Sequence, residues 1–529
     1  MSIFSLGDTI GDLKRFRDIV TIISENGFAY VIDKTELKWA VPFQYRVRAF
    51  FKAHLGMVDT SRQDTLPVRL RKLFIRLGPT FVKLGQVLSV RSDLLPPEFT
   101  AELSKLTDEV PPFSYQEAKK IIEAEFKQPV NKLFKQFDEK PLAAASLAQV
   151  HKAVLNSGEK VAIKVQRPGI RSVVEKDIHI MFYLAKIIEE RVPEFRVYRP
   201  VAIVREFADS IMRELDFTAE AAHAKRFERM FAGDPTVKVA HMFSDYSTKN
   251  VLTMELIRGV KVDDVTKLTE KGIDPKILAV NGANAFLCQV FLEGFFHADP
   301  HPGNYFAMPN NIFAFIDYGM VGRLSTYDRR ELASLFISFV NHDSESVIEH
   351  IKHLVEIPVS ANIEAFEHDV DDILDQWYDA KLREISLAEA FFKIIDSGRK
   401  NRIYFPAKFV FLGKTLFTIE AMGQRLDPDF DFSKQLEPFI KKILQAELNP
   451  LRIKTQIEDK ALDYVSYLET LPQMTIRLLE KIDSGEIGVK INSEEMREIE
   501  IKMNNDNYKQ LVIFGLIFLL IFLLWVLKR

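Results

Sequence analysis

Cysteine is almost absent from this chain. Its 529 residues hold one, Cys288. That excludes a disulfide framework and any zinc or iron–sulfur site built from several cysteines, and it fits a reducing compartment. Cys288 lies in a Phe/Leu/Val-rich helical pattern and reads as a small core residue. An excess of charge is missing as well: 71 Lys and Arg stand against 74 Asp and Glu, a net charge of −3, which gives no global electrostatic case for a nucleic-acid partner. Asp8, Asp12 and Lys14 interrupt the N-terminus before an apolar stretch can form, which argues against a signal peptide and, through the acids, against a transit peptide. No Gly-x-Gly-x-x-Gly follows a strand pattern anywhere.

What is present, 27% charged and 47% hydrophobic residues, is the balance of a folded globular protein with room for two to four domains or one large core with appendages. The one long apolar run is 511–527, with Tyr508 and Lys509 before it, Trp525 inside it and Lys528-Arg529 after it. At about 1.5 Å per residue it reaches about 25 Å, and flanking Lys and Arg can snorkel to cover the rest of a hydrocarbon core of about 30 Å. The expectation is a single tail anchor over 508–529, with the folded part on one side of the membrane.

The chemistry gathers in 297–319. Asp299 is followed, after four residues, by Asn304, and an apolar run with a turn at Pro309-Asn310-Asn311 leads to Asp317-Tyr318-Gly319. Kinase-type phosphoryl transfer needs an Asp facing the nucleophile, an Asn holding magnesium and a second metal-holding Asp at this spacing. A competing reading is a metal site, because His297, Asp299 and His301 alternate along the loop.

Upstream, 161–164 reads Val-Ala-Ile-Lys on a strand, the setting of a phosphate-gripping lysine, Lys164. A turn at Asn156-Ser157-Gly158 joins it to a preceding strand. Small residues before that strand place Ala143, Ala144, Ala145 and Ser146 where a phosphate lid would lie. A helix from about Pro200 carries Val204, Phe207, Ala208, Ile211 and Leu215 at helical spacing and continues through Glu214, Asp216 and Glu220; either Glu220 or Glu214 could pair with Lys164. Residues 251–259 form a strand and a connector containing Glu255, where an adenine edge would bind. Residues 167–192 read as a charged stretch. In 69–95, Pro79 suits a helix start, and Gly85 in mid-helix suggests close approach by another group.

In that order, Lys83-x-Gly85-Gln86, the Ala-rich 143–149 segment, Val161 to Lys164, Glu214-x-Asp216 with Glu220, 297–304 and Asp317-x-Gly319 resemble the UbiB family, the AarF/ADCK-type atypical kinases tied to isoprenoid quinone biosynthesis. The resemblance implies an α+β, bilobal protein kinase-like fold with an N-terminal helical extension and a C-terminal transmembrane helix. It implies that Lys83 and Gln86 gate the nucleotide site near Glu214 and Asp216, and that the activity is ATP binding and hydrolysis more than protein phosphorylation. The sequence departs from ordinary kinases independently: Ala298 stands where they have Arg, Tyr318 where they have Phe, and no Ala-Pro-Glu follows Gly319.

The expected domains are a helical segment 1–60, a helical extension 61–140, an N-lobe 141–258, a C-lobe 259–445, an amphipathic linker 446–507 and the anchor 508–529. The expected ATP-binding residues are Leu142, Ala143, Ala144, Ala145, Ser146, Val150, Lys164, Glu220 and Glu255. Asp299 is catalytic, Asn304 and Asp317 bind metal, and Lys83, Gln86, Glu214 and Asp216 gate the pocket. ATP and Mg²⁺ are the cofactors; membrane lipids, quinone precursors or quinone-biosynthesis enzymes are the partners. The location is a cell membrane, the inner one if Gram-negative, with the catalytic part in the cytoplasm. The alternatives are a nucleotide-binding scaffold with weak catalysis and a metal- or flavin-dependent quinone hydroxylase.

Overall fold

The computed structural model describes residues 10–28, 32, 34–40 and 64–440, except 92, 107–109, 194, 196–198, 300, 380–385, 433 and 437. The chain divides into two units, Met1–Ala446 and Glu447–Arg529, and the expected linker and anchor lie outside the described residues. Among the described residues no helix is long and apolar enough to cross a membrane.

Helices come first: α1 (Ile10–Ile23), α2 (Leu66–Leu77), α3 (Pro79–Leu88) and α4 (Pro97–Leu103). Pro79 occupies the first turn of α3, where its missing N–H is no loss. The close approach expected at Gly85 is made by Phe74 and Leu106: a Cβ built there would stand 2.6 Å from Phe74 Cδ2 and 2.3 Å from Leu106 Cδ1. Gly85 therefore serves helix packing.

Next come α5 (Tyr115–Phe126), α6 (Val130–Leu133) and the strands β1 (Phe134–Phe137), β2 (Ala143–Ala144), β3 (Ala148–Leu155) and β4 (Lys160–Gln166). The antiparallel sheet runs β1-β3-β4-β6, with β2 added to β3 and β6 spanning Val251–Glu255. Strand alternation explains the Val-Ala-Ile-Lys pattern. Val161, Ile163 and Val165 face one way and bury against Ala118 and Ile122 of α5. Ala162 and Lys164 face the other way, toward the second lobe.

Between β4 and β6 lie α7 (Ile170–Arg191), α8 (Pro200–Glu214), α9 (Phe217–Met230) and β5 (Val237–Val239). The charged stretch 167–192 is mostly this long α7, whose Val174, Ile178, Met181 and Ala185 share a core with Phe16, Ile19, Phe81 and Phe207. The single helix expected through 204–221 is two. Leu215 ends α8, and the Asp216 side chain accepts the Thr218 N–H at 3.0 Å as the N-cap of α9. Asp prefers capping to a helix interior, so the charged run breaks there.

The second lobe holds β7 (Val260–Lys261), α10 (Val265–Glu270), α11 (Pro275–Leu287), β8 (Phe295–His297), β9 (Tyr305–Met308), β10 (Ile312–Phe315), β11 (Val321–Arg323), α12 (Thr326–Val340), α13 (Ser344–Leu354), α14 (Ile363–Asp379), α15 (Leu387–Lys400) and α16 (Ala407–Leu426). One sheet runs β5-β10-β9-β7, and β11 pairs with β8. Phe286, Phe295, Phe296, Phe313, Phe336 and Phe409 fill its core, with half-buried Cys288 packed against it. The Ser325–Asp328 capping box starts α12.

Candidate active site

The sheet register sets the roof of the site. Ala143 lies opposite Val150, Val150 opposite Lys164 and Lys164 opposite Leu252, so these four side chains share one face. Ala162 and Met254 extend it, forming an apolar patch around one ammonium. The Ala-rich lid is held from behind. Arg167 Nη2 donates to the Ala145 carbonyl at 3.1 Å, and its guanidinium stands 5.4 Å from the Phe113 ring centroid. Gln149 Oε1 accepts the Phe113 N–H at 3.0 Å. Ser146 is buried, whereas Leu142 is exposed. Glu255 turns its carboxylate to Lys238 at 2.7 Å, leaving only its backbone position as a contribution to the connector.

The helix break gives each candidate glutamate its own lysine. Glu220, in the first turn of α9, takes Lys164 Nζ at 2.8 and 3.1 Å, and Lys164 stands 5.1 Å from the Phe217 ring centroid. Glu214, at the end of α8, takes Lys83 from α3 at 2.6 Å. Gln86 donates instead to the Leu106 carbonyl at 3.2 Å, and Asp216 is engaged as the N-cap. Burial opposes the charge on Lys164, but the carboxylates of Glu220, Asp317 and Glu214 overcome it and push its pKa up. Lys164 is therefore an ammonium at any physiological pH.

The loop is organised by His297, which is buried at the end of β8. The Asp299 N–H donates to its Nδ1 at 3.1 Å, so Nε2 carries the proton and donates to the Asp317 carbonyl at 2.9 Å. One imidazole thus ties the loop at Asp299 to the backbone of Asp317. With both nitrogens on the backbone, His297 cannot be a ligand, and the His297/Asp299/His301 metal site expected as an alternative does not form. His301 Nδ1 accepts the Gly303 N–H at 3.0 Å. Among the described residues, three potential ligands cluster elsewhere, at Glu331, His350 and His353.

Asp299 Oδ1 pairs with Lys414 Nζ of α16 at 2.7 Å. Desolvation pushes the Asp299 pKa up, yet Lys414, beside it, and Lys83 bring it below the usual carboxylate range. Asp317 behaves alike: desolvation raises it, and Lys164 together with the Gly319 N–H at 3.0 Å lowers it. For both groups the sign is that of a depressed acid. Their contribution to stability is complete above the unfolded value of about 3.9 and is lost as pH falls through the lower folded value.

Two oxygens suit a magnesium ion. Asp317 Oδ1 accepts the Gly319 N–H, and among the described residues its Oδ2 takes part in no ion pair or hydrogen bond. Asn304 Nδ2 donates to the Asp299 carbonyl at 3.3 Å, which leaves its amide oxygen as an open acceptor. Carboxylate and amide oxygens are the hard donors that Mg²⁺ takes.

Tyr318 is more than a tolerated Phe. Its hydroxyl accepts the buried Ala240 N–H at 2.8 Å and donates to the Phe315 carbonyl at 2.6 Å, while His223 Nδ1 donates to its carbonyl at 3.0 Å. Tyr318→Phe leaves the Ala240 N–H without a partner and is expected to cost about 1–3 kcal/mol, read by urea denaturation. Sequence reasoning missed Lys414, His223 and Thr415. A signal for Lys414 was available, because it is the one charged residue in the apolar run 409–419.

Comparison with known proteins agrees with this layout. Residues 105–351 match the ABC1 atypical kinase-like domain and residues 370–431 the UbiB helical domain. A probable protein kinase UbiB of Aeromonas salmonicida is 35% identical over 473 residues, covering 88% of this chain and 86% of that protein. That of Erwinia tasmaniensis is 33% identical over 503 residues, covering 94% and 91%. The chloroplastic protein ACTIVITY OF BC1 COMPLEX KINASE 7 of Arabidopsis thaliana is 34% identical over 471 residues, covering 86% and 67%. The chain belongs to the UbiB family of ABC1 atypical kinase-like proteins.

Proposed function

We propose that the chain binds Mg–ATP and uses it, by phosphoryl transfer or hydrolysis, in support of isoprenoid quinone biosynthesis of the ubiquinone type. The observation that carries this reading is the convergence on one cleft of the Lys164–Glu220 pair, Asp299 and Asp317, with His297 joining the last two. Lys164 binds phosphate oxygens, Glu220 aims it, and Asn304 and Asp317 hold the magnesium ion. That ion neutralises phosphate charge when bound. Asp299 orients or deprotonates the nucleophile. The Ala143–Ser146 lid and the apolar face of Val150, Ala162 and Met254 take the nucleotide, and Lys83 on Glu214 closes its far side.

A small or membrane-associated client suits the site better than a peptide. Soon after Gly319 the chain forms β11 (Val321–Arg323), which pairs back with β8, and Ser325 then caps α12. No platform for an extended peptide is built in that stretch. The apolar 511–527 run supports a single-pass anchor in the cell membrane with the catalytic part facing cytoplasmic ATP. The scaffold reading is favoured by one observation, the capping of Asp299 by Lys414, which makes the carboxylate a weak base in this state. ADP release by the purified full chain, with and without membranes and phenolic quinone precursors, tests the proposal. Mg²⁺-dependent release that rises with these additions is expected; no ATP loss under any of them refutes it.

A further inference from the structure

Lys414 lies in the segment that matches the helical domain, beyond the kinase-like match, yet its ammonium sits 2.7 Å from Asp299. The placement is built. In α16 the neighbours Leu412, Gly413, Thr415 and Leu416 are buried. Gly413 admits the Phe391 ring to within 2.7 Å of where a Cβ would stand. Thr415 Oγ1 donates to the Phe411 carbonyl at 2.8 Å within α16 and lies 3.3 Å from the His297 carbonyl, which sets the helix against the strand that carries the catalytic loop. Lys414 keeps 30% side-chain exposure and Asp299 35%, so both remain within reach of a substrate.

We propose that Lys414 is a positioning residue for phosphoryl transfer, its ammonium occupying Asp299 Oδ1 so that Oδ2 faces the attacking hydroxyl or water. The inference rests on the proposed Mg–ATP chemistry and makes the helical domain part of the active site. In the step, the nucleophile's oxygen forms the new P–O bond and the bond to ADP breaks with its electron pair going to ADP. The nucleophile's proton passes to Asp299, and Lys414 stays protonated. The charged and titratable groups around Asp299 are Lys414 on α16, Lys83 on α3, His297 on β8, Tyr305 on β9 and Asp317 after β10.

The test compares Lys414→Met and Lys414→Arg in the full-length protein. For Lys414→Met the account expects kcat for Mg–ATP turnover to fall by about 30- to 100-fold, with the nucleotide Kd kept within about threefold. Lys414→Arg should recover most of the rate. In an Asp299→Asn background, Lys414→Met should cause no further loss, as expected when one residue acts through the other. If the Met variant does not fold, Lys414→Gln, which keeps a polar tip, carries the same comparison. An unchanged kcat, or losses that add fully to Asp299→Asn, overturn the inference while leaving the proposed function standing. Absence of turnover in the unsubstituted protein overturns both.

Discussion

Lys164→Met is expected to remove Mg–ATP turnover and to destabilise the fold together. The side chain of Glu220 is 5% exposed and is held by Lys164. Taking the ammonium away leaves a carboxylate buried beside Asp317 and Glu214, the groups that already oppose its charge. Breaking a buried pair in this way costs about 3–5 kcal/mol, because the remaining ion loses its partner without gaining water. The phosphates lose their charged donor in the same stroke, worth on the order of 10²–10³ in kcat. Urea denaturation and turnover measured on one preparation check both parts. Unaltered stability would show that Glu220 does not depend on Lys164, and unaltered turnover that the phosphates do not.

Asp299→Asn should behave differently, with turnover lost and only a small loss of stability. Its partner Lys414 is 30% exposed and can turn to water, so the substitution strands no buried charge. Asn keeps the shape and a hydrogen-bonding oxygen but cannot take a proton. The expected loss is about 10²–10⁴ in kcat, with Mg–nucleotide affinity within about threefold, since Asn304 and Asp317, the ligands proposed for the metal, are untouched. Full activity in this variant would leave the nucleotide-binding scaffold as the better account. The contrast between the two lysine–carboxylate pairs is thus a contrast of burial: Lys164–Glu220 carries stability and chemistry, whereas Lys414–Asp299 carries mainly chemistry.

How much of this was legible in the sequence follows the range of the interactions. The Val-Ala-Ile-Lys strand and the Asp299 to Asn304 spacing are short-range patterns, and a strand's alternation or a loop's spacing can be read from neighbours alone. Choosing between Glu214 and Glu220 could not be done that way. One continuous helix would set both by periodicity, but Asp216 caps a new helix and sends the two carboxylates to different lysines. The buried positions of α7 are diluted by Glu and Lys, so its helix read as charge. Lys414 is 115 residues from Asp299, a contact that only the packing of α16 on β8 creates. Gln86 appeared as part of a gate and is seen holding the Leu106 carbonyl, because the segment after α4 passes over α3.

The central claim is that Asn304, Asp317 and Lys164 form one magnesium–nucleotide site, and equilibrium binding of ATP to the purified full chain with and without Mg²⁺ tests it most directly. The account predicts binding that tightens by about tenfold or more on adding Mg²⁺ and loses that dependence in Asp317→Asn. Binding that is indifferent to the metal, or a metal effect that survives Asp317→Asn, would contradict it.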